Sequence, residues 1–238
     1  MNEITRHLGT LKKDGLLNAV VATVALPHSF PLGIGLLKDA SLSLDMPFFC
    51  MIGGCESMRD MYDARSFGVD GLTAPMIDSA YALEKFIEAS DAVFSPEELS
   101  ALSRGIEFSS IESVENSARI LDCGMSQYIN EVWFDLDGLS SPVKGLSGTA
   151  AKTILSSIRT VQEKGIIPAV SFSIWHESFV EIVGDPSVEK LYYGIVSVMI
   201  TGQAQSVVEI IKKSDQACRA YQNLCGMEGP ASGCRGGK

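Results

Sequence analysis

The chain has 238 residues, of which 46% are hydrophobic, 20% charged and 8% aromatic. This is the composition of a globular protein with a sizeable core, and it excludes a disordered or collagen-like chain. The net charge of −10, from 19 Lys and Arg against 29 Asp and Glu, argues against a nucleic-acid partner, because phosphate backbones are bound by clustered cations. No membrane span is expected, since the apolar stretches 19–26 and 195–200 are shorter than the roughly 20 residues that cross a bilayer.

The acidic residues are unevenly distributed along the chain. Residues 45–122 hold 15 acids and five bases, a local balance of −10. A solvated outer surface is the simpler interpretation, and carboxylates that hold a cation are the alternative. The six cysteines show no C-x-x-C spacing, and no long apolar segment of a signal peptide follows Met1. We therefore expect reduced thiols and a cytoplasmic protein.

Helices and strands alternate from the N-terminus onward. Apolar residues at helical spacing predict helices, of which 2–14 is the first and 149–164 the clearest. The segment 27–35, with its prolines and glycines, is expected to be a loop. Ser95, followed by proline and two glutamates, is typical of a helix start. The apolar runs that we interpret as strands are residues 19–26, 48–52, 69–74, 106–111, 131–136, 166–174 and 191–200.

Seven strands, each followed by a helix or a long loop, require parallel pairing. We favour a (β/α)8 TIM barrel over an open doubly wound sheet, because acidic and polar residues recur where strands end, and a barrel gathers its site there. Only seven strands are evident, so the barrel is expected to have an incomplete or modified strand set. We expect one barrel domain over residues 1–213 and a flexible C-terminal tail over residues 214–238.

The residues at the predicted strand ends are the candidates for a functional site, since they converge on one face of a barrel. They are His28, Gly53, Gly54, Glu56, Asp78, Glu112, Asp135, Asp137 and His176. Glu112 and Asp137 are the carboxylates best suited to Mg²⁺ or Mn²⁺, which prefer oxygen ligands; capping or solvated acids are the alternative. A nucleophile pair between Cys55 and His28 or His176 is a further alternative, although a buried inert thiol explains Cys55 more simply.

Three segments resemble the HpcH/HpaI aldolase / citrate lyase family. Residues 51–83, MIGGCESMRDMYDARSFGVDGLTAPMIDSAYAL, contain a stretch similar to the family's "GVDGIVAPMVES" segment. Residues 111–113, IES, resemble the "IET" strand end that carries a metal-binding Glu in the family. Residues 136–141, LDGLSS, resemble the "VDLTGSLG" strand end that carries a metal-binding Asp. The resemblance is good over residues 48–90 and partial over 105–165.

The resemblance implies a metal-dependent carbon–carbon lyase or aldolase that acts on a 2-oxo acid or related small carboxylate. Glu112 and Asp137 would bind Mg²⁺ or Mn²⁺, and the metal would stabilise an enolate. The backbone amides of Gly53 and Gly54 would face the substrate carboxylate. The substrate-binding set also includes Met51, Glu56 and Asp78. His28 or His176, or a metal-bound water, would move the proton, and a homo-oligomer is expected.

The chain also departs from the family pattern. Met51 stands where the family has a cation that pairs with the substrate carboxylate, and a thioether cannot replace that charge-assisted bond. The strand at 19–26 is apolar apart from Thr23, where the family is rich in Glu. Two alternatives therefore stay open: a catalytically altered or inactive barrel that binds a ligand or partner subunit, and a different reaction, such as a hydrolase, decarboxylase or cyclase, on the same scaffold.

Overall fold

Eight strands form a closed barrel in which neighbours in sequence are neighbours in space. They are β1 (Leu17–Thr23), β2 (Phe48–Met51), β3 (Gly71–Ala74), β4 (Ser103–Phe108), β5 (Glu131–Asp135), β6 (Ile167–Phe172), β7 (Lys190–Tyr193) and β8 (Val196–Met199). β1 to β7 are parallel, whereas β8 is antiparallel to both β7 and β1. The computed structural model describes residues 3–24, 32–140, 145–173, 175–199 and 207–224. The predicted α/β barrel is confirmed, and its modification lies in the eighth strand.

The segment predicted as one strand over residues 191–200 is a hairpin. β7 ends at Tyr193, the chain turns through Gly194 and Ile195, and β8 pairs back along β7. Gly194 has a φ of 58°, a left-handed conformation that glycine adopts without the steric penalty of a side chain. The hairpin closes the barrel where a helical crossover would otherwise carry the chain to a parallel strand.

The helices surround the barrel. They are α1 (Glu3–Lys13), α2 (Leu32–Ser43), α3 (Met58–Ser66), α4 (Ala80–Val93), α5 (Pro96–Ala101), α6 (Ile111–Glu115), α7 (Ser117–Leu121), α8 (Leu136–Leu139), α9 (Gly148–Glu163), α10 (Val180–Val183) and α11 (Val207–Leu224). The helix start predicted at Ser95 is confirmed, with a reciprocal capping box between Ser95 and Glu98. None of the described helices is both long and apolar enough to cross a membrane.

Helix α2 begins inside the segment that the sequence predicted as a loop. Gly33 and Gly35 are helical, at a cost of about 1 kcal/mol each relative to alanine. Ile34, Leu37 and Ala40 lie on one side of this helix and are fully buried. Burial of a leucine or isoleucine side chain contributes about 1.5–3 kcal/mol, so the core contacts outweigh the glycines.

Helix α11 extends past the predicted domain boundary at residue 213 and ends at Leu224. It packs along α1, and the Lys213 ammonium lies 2.8 Å from the Asp14 carboxylate at the end of α1. Ala217 and Tyr221 are buried in the second half of the helix. Residues 214–224 are therefore part of the barrel domain, and the remainder of the predicted tail, residues 225–238, lies outside the described residues.

Candidate active site at the carboxyl end of the barrel

A cavity of about 390 Å³ opens where the parallel strands end. Its lining includes three carboxylates from β4, β5 and the turn after β5: Glu107, Asp135 and Asp137. The described residues that line it include no Lys, Arg or His. Among the described lining residues, the three carboxylates therefore have no cationic side chain beside them.

Glu107 is the most deeply buried of the three carboxylates, with 6% of the residue exposed. Burial, reinforced by the nearby Asp135 carboxylate, raises the pKa of Glu107 to about 7. Two hydroxyls hold the side chain in place, because Ser171 donates to Oε1 at 3.1 Å and Ser109 donates to Oε2 at 3.3 Å. These hydrogen bonds favour the charged form and offset part of the effect of burial.

Asp135 ends β5 on the strand next to Glu107. Burial raises the pKa of Asp135, and the neighbouring Asp137 carboxylate adds to the effect. The backbone N–H of Asp137 donates to Asp135 Oδ1 at 3.1 Å, and the N–H of Gly138 acts in the same stabilising direction. A Cβ at position 138 would lie 2.6 Å from Asp135 Oδ2, so the chain can turn this closely around the carboxylate only because residue 138 is glycine.

Asp137 lies at the rim of the cavity and is tied to β6. Its Oδ2 accepts hydrogen bonds from the backbone N–H of Ser173 at 2.5 Å and from the Ser173 hydroxyl at 2.6 Å. Because a carboxylate oxygen with two donors is held in one orientation, Asp137 joins the end of β5 to the end of β6.

The floor of the cavity is formed by Trp133 and Tyr192, which stack with ring centroids 3.5 Å apart. Both donate to Glu131 Oε2, the indole at 3.1 Å and the phenol at 2.5 Å. The Lys190 ammonium pairs with Glu131 Oε1. This buried network is satisfied, and Lys190 is not among the cavity-lining residues, so we assign the network a structural role.

The other wall of the cavity is apolar. It comes from Leu37 of α2, from Ile195 in the β7–β8 turn and from Cys218 and Tyr221 of α11; the polar Gln222, next to Tyr221, also lines the cavity. The turn and the helix are in close contact, since the Cys218 thiol lies 3.6 Å from the Tyr193 carbonyl oxygen. The cavity thus has an acidic side and an apolar side.

Three of the residues predicted for the site line this cavity: Met51, Asp135 and Asp137. Met51 ends β2 and packs against the aromatic residues of the barrel interior. The other described candidates, Gly53, Gly54, Glu56, Asp78 and Glu112, are not among the lining residues. His28 lies outside the described residues.

Several of these candidates have other partners. The Gly53 N–H donates to Asp60 Oδ2 at 2.8 Å, and Asp78 Oδ1 accepts from the Ser110 hydroxyl at 2.8 Å. Glu112 is exposed in the first turn of α6, and Glu56 is exposed in the loop before α3. The structure therefore does not bring Glu112 and Asp137 together at the cavity.

His176 is exposed and caps the short 3₁₀ helix Glu177–Phe179. Its Nδ1 accepts from the Ser178 N–H at 3.1 Å and lies 2.7 Å from the Ser178 hydroxyl. That hydroxyl accepts from the Leu146 N–H at 2.9 Å. The imidazole thus links two loops above β6, at a place that does not line the cavity.

Glu107 was not predicted for the site from the sequence, and Asp135 was predicted as a site residue but not as one of the metal ligands. Glu107 alternates with apolar residues in β4, and its neighbours Ile106 and Phe108 are fully buried on the opposite face. The available signal was a lone acid one residue before the end of an apolar strand, where side chains of a barrel point into the site.

The carboxylates fit a hard divalent cation by their chemistry. All the charged donors at the cavity are oxygen atoms, which Mg²⁺ and Mn²⁺ prefer. In the described part of the chain, no group of three or more His, Cys, Asp or Glu side chains is arranged to hold a metal ion by itself. Glu107 and Asp135 would therefore act as a pair, as is common for Mg²⁺, with water and substrate oxygens as the remaining ligands.

The fold and the position of the cavity define a TIM-barrel protein of aldolase-like architecture. An HpcH/HpaI aldolase from Desulfitobacterium hafniense superimposes with a TM-score of 0.60 at 12% identity, over 98% of this chain and 92% of that chain. An HpcH/HpaI aldolase/citrate lyase family protein from Burkholderia cenocepacia gives 0.62 at 9% identity, over 90% and 89%. The YdjI aldolase from Escherichia coli gives 0.54 at 10% identity, over 96% and 89%.

The resemblance to the HpcH/HpaI family is thereby confirmed at the level of the fold. No model of a known protein family matches the chain, and no curated protein matches it in sequence. The likeness thus resides in the three-dimensional architecture, with little sequence identity.

Proposed function

We propose that this protein is a metal-dependent carbon–carbon lyase or aldolase that acts on a 2-oxo acid or a related carboxylate in the cavity at the carboxyl end of the barrel. The observation that carries the proposal is the meeting of Glu107, Asp135 and Asp137 in a cavity whose described lining has no protein cation. The fold shared with HpcH/HpaI aldolases supports the reaction class.

The charge of the cavity determines how a carboxylate substrate can bind. Three carboxylates repel an anion, and Met51 offers no charge at the position where the resembled family has a cation. A divalent cation held by Glu107 and Asp135 would offset most of this negative charge and place a positive centre at the substrate oxygens. When bound, it would polarise the substrate carbonyl and stabilise the negative charge of an enolate. Mg²⁺ or Mn²⁺ is therefore part of the proposal.

The surrounding residues hold this arrangement in place. Ser109 and Ser171 orient the two oxygens of Glu107, and the turn at Gly138 orients Asp135. The stacked rings of Trp133 and Tyr192 line the cavity and are held in place by their hydrogen bonds to Glu131. A volume of about 390 Å³ is within the usual range of small-molecule sites.

A calorimetric titration of the purified protein with Mn²⁺ and Mg²⁺ tests the proposed ligands. We expect one saturable site in the wild type and at least about tenfold weaker binding in Glu107→Gln and Asp135→Asn, because each amide removes a negatively charged ligand. Glu112→Gln is the matched control, since Glu112 is exposed on α6. Loss of binding in Glu112→Gln with retention in Glu107→Gln would contradict these ligands and favour the pair predicted from the sequence.

A second candidate function is that of a barrel that binds a ligand without catalysis. It is favoured by Met51 at the cavity and by the position of His176, which is held by Ser178 and does not line the cavity. Binding of a 2-oxo acid without hydrogen exchange at the carbon next to its keto group would support this candidate over the enzyme.

A further inference from the structure

The cavity presents two chemically distinct sides to one ligand. We infer that the part of the substrate that points away from the carboxylates is an uncharged, apolar chain or ring, which lies against Leu37, Ile195 and Tyr221. The inference rests on the proposed function only for the binding of the substrate carboxylate at the acidic side. The contacts of the tail with the apolar side do not depend on which reaction the protein catalyses. It narrows the substrate class to small carboxylates with an apolar tail.

The apolar side is a built wall of the cavity. Leu37 is fully buried, and Ile195 and Tyr221 are each 7% exposed. Cys218, between them on α11, contacts the turn at Tyr193 and Gly194, and burial raises the pKa of its thiol to about 12. The thiol is therefore uncharged at neutral pH and adds to the apolar surface.

The described lining residues are poorly suited to a charged tail of either sign. A tail that ends in a carboxylate or phosphate would lie against this wall without a cation among the described lining residues, and an unpaired buried charge is strongly unfavourable. A cationic tail would be attracted to Glu107, Asp135 and Asp137 and would compete with the divalent cation there. An uncharged apolar tail matches the wall without either conflict.

The test compares two 2-oxo acids with the same six-carbon chain. 2-Oxohexanoate has an apolar tail, and 2-oxoadipate has the same chain with a carboxylate at the far end. Binding is measured in excess Mg²⁺ by methyl NMR of isoleucine- and leucine-labelled protein, which follows Leu37 and Ile195. We expect 2-oxohexanoate to bind at least about tenfold more tightly. Equal or tighter binding of 2-oxoadipate would overturn the inference.

Two neighbouring lysine substitutions on α11, one at the cavity and one on the surface, provide a matched pair of variants. Gln222 is half-buried and lines the cavity, whereas Asn223 is exposed and does not. Gln222→Lys is expected to reduce the preference for 2-oxohexanoate by several-fold or to reverse it, because the ammonium pairs with the far carboxylate. Asn223→Lys adds the same charge beside it and is expected to leave the preference unchanged. An equal change in both variants would contradict a contact at position 222.

A third probe, hexan-1-ol, separates this inference from the proposed function. If neither 2-oxo acid binds but hexan-1-ol shifts the methyl signals of Leu37 and Ile195, the apolar wall is upheld and the proposed carboxylate chemistry fails. If none of the three probes shifts these signals, the inference itself is wrong.

Discussion

The rings of Trp133 and Tyr192 stack across the barrel interior, with their centroids 3.5 Å apart and their planes at 21°. The pair separates a charged network below, built on Glu131 and Lys190, from the cavity above. Both rings donate hydrogen bonds to Glu131. Of the two buried acids in the described part of the barrel, Glu131 is satisfied by protein groups and Glu107 faces the cavity.

Removal of the Tyr192 hydroxyl tests the satisfied network. Tyr192→Phe keeps the stacked ring but takes away the 2.5 Å donor to Glu131. A buried carboxylate that loses a partner costs about 1–3 kcal/mol, so we expect the free energy of unfolding in urea to fall by that amount. Ligand binding in the cavity is expected to change little, because the ring that forms the floor remains.

Tyr193→Phe is the control for this variant. Tyr193 is the next residue on β7, and its hydroxyl donates to Asp215 at the longer distance of 3.4 Å. We expect a loss of no more than about 1 kcal/mol. A larger loss in Tyr193→Phe than in Tyr192→Phe would contradict the importance of the Glu131 network.

Glu107 is expected to make the metal-free protein less stable as the pH rises. Its pKa is raised from 4.5 to about 7 in the folded chain, so the folded state binds this proton more tightly than the unfolded state. Protonated Glu107 therefore contributes about 3 kcal/mol to the free energy of unfolding. This contribution is fully present below pH 4.5 and is lost as the pH rises through 7. Asp135 acts in the same direction, because its pKa is also raised.

Urea unfolding from pH 4.5 to 7.5 in the presence of a chelator measures this dependence. Glu107→Gln is expected to flatten the curve, since an amide does not titrate, whereas the exposed Glu112→Gln should follow the wild type. Addition of Mg²⁺ at pH 7.5 is expected to raise the stability of the wild type more than that of Glu107→Gln. A wild-type curve that rises steadily over this range would show that Glu107 is not held in the buried environment described here.

The barrel could be predicted from the sequence, but the hairpin of β7 and β8 that closes it could not. Seven strands follow from apolar runs at regular intervals, and most of the described residues in those runs are buried. The last run hides a turn, because Gly194 and Ile195 interrupt it without a polar residue. Helix α2 was missed for the opposite reason: local glycine signals favoured a loop, and only the tertiary burial of Leu37 and its neighbours favours the helix.

The candidate site could be predicted only in part, because the position of a residue in the chain does not always show which way its side chain faces. Asp137 follows its strand directly, so its place at the cavity could be predicted from the order of elements. Glu112 is the fourth residue after β4 and lies in helix α6, which carries its side chain to the surface. Glu107 occupies the inward-facing position near the end of β4. Because both faces of this strand are buried, the sequence pattern does not show which residues point into the barrel.

The thiols are expected to differ sharply in reactivity. Burial raises the pKa of both Cys50 and Cys218 to about 12, whereas Cys55 and Cys123 are partly exposed. At pH 8 the buried pair should react with iodoacetamide about a thousandfold more slowly than an ordinary thiol. Mass spectrometry of peptides after timed alkylation checks this. Rapid labelling of Cys218 but not of Cys50 would mean that α11 opens from the barrel.

Gly194 fixes the contact between the hairpin turn and α11. A Cβ at this position would lie 2.6 Å from the Cys218 sulfur, and the φ of 58° is strained for other residues. Gly194→Ala is expected to lower the free energy of unfolding by about 1–3 kcal/mol. The double variant Gly194→Ala with Cys218→Ala should recover the steric part of this loss and keep the backbone part. No recovery relative to the sum of the single variants would contradict the contact.

Hydrogen–deuterium exchange at the carbon next to the keto group of pyruvate and of 2-oxohexanoate tests the central claim most directly. The experiment follows the exchange by NMR with Mg²⁺ present and then removed by a chelator, in the wild type, Glu107→Gln and Glu112→Gln. We expect Mg²⁺-dependent exchange in the wild type and in Glu112→Gln, with at least about a hundredfold loss in Glu107→Gln. Exchange that persists without a divalent cation, or that survives intact in Glu107→Gln, would contradict this claim.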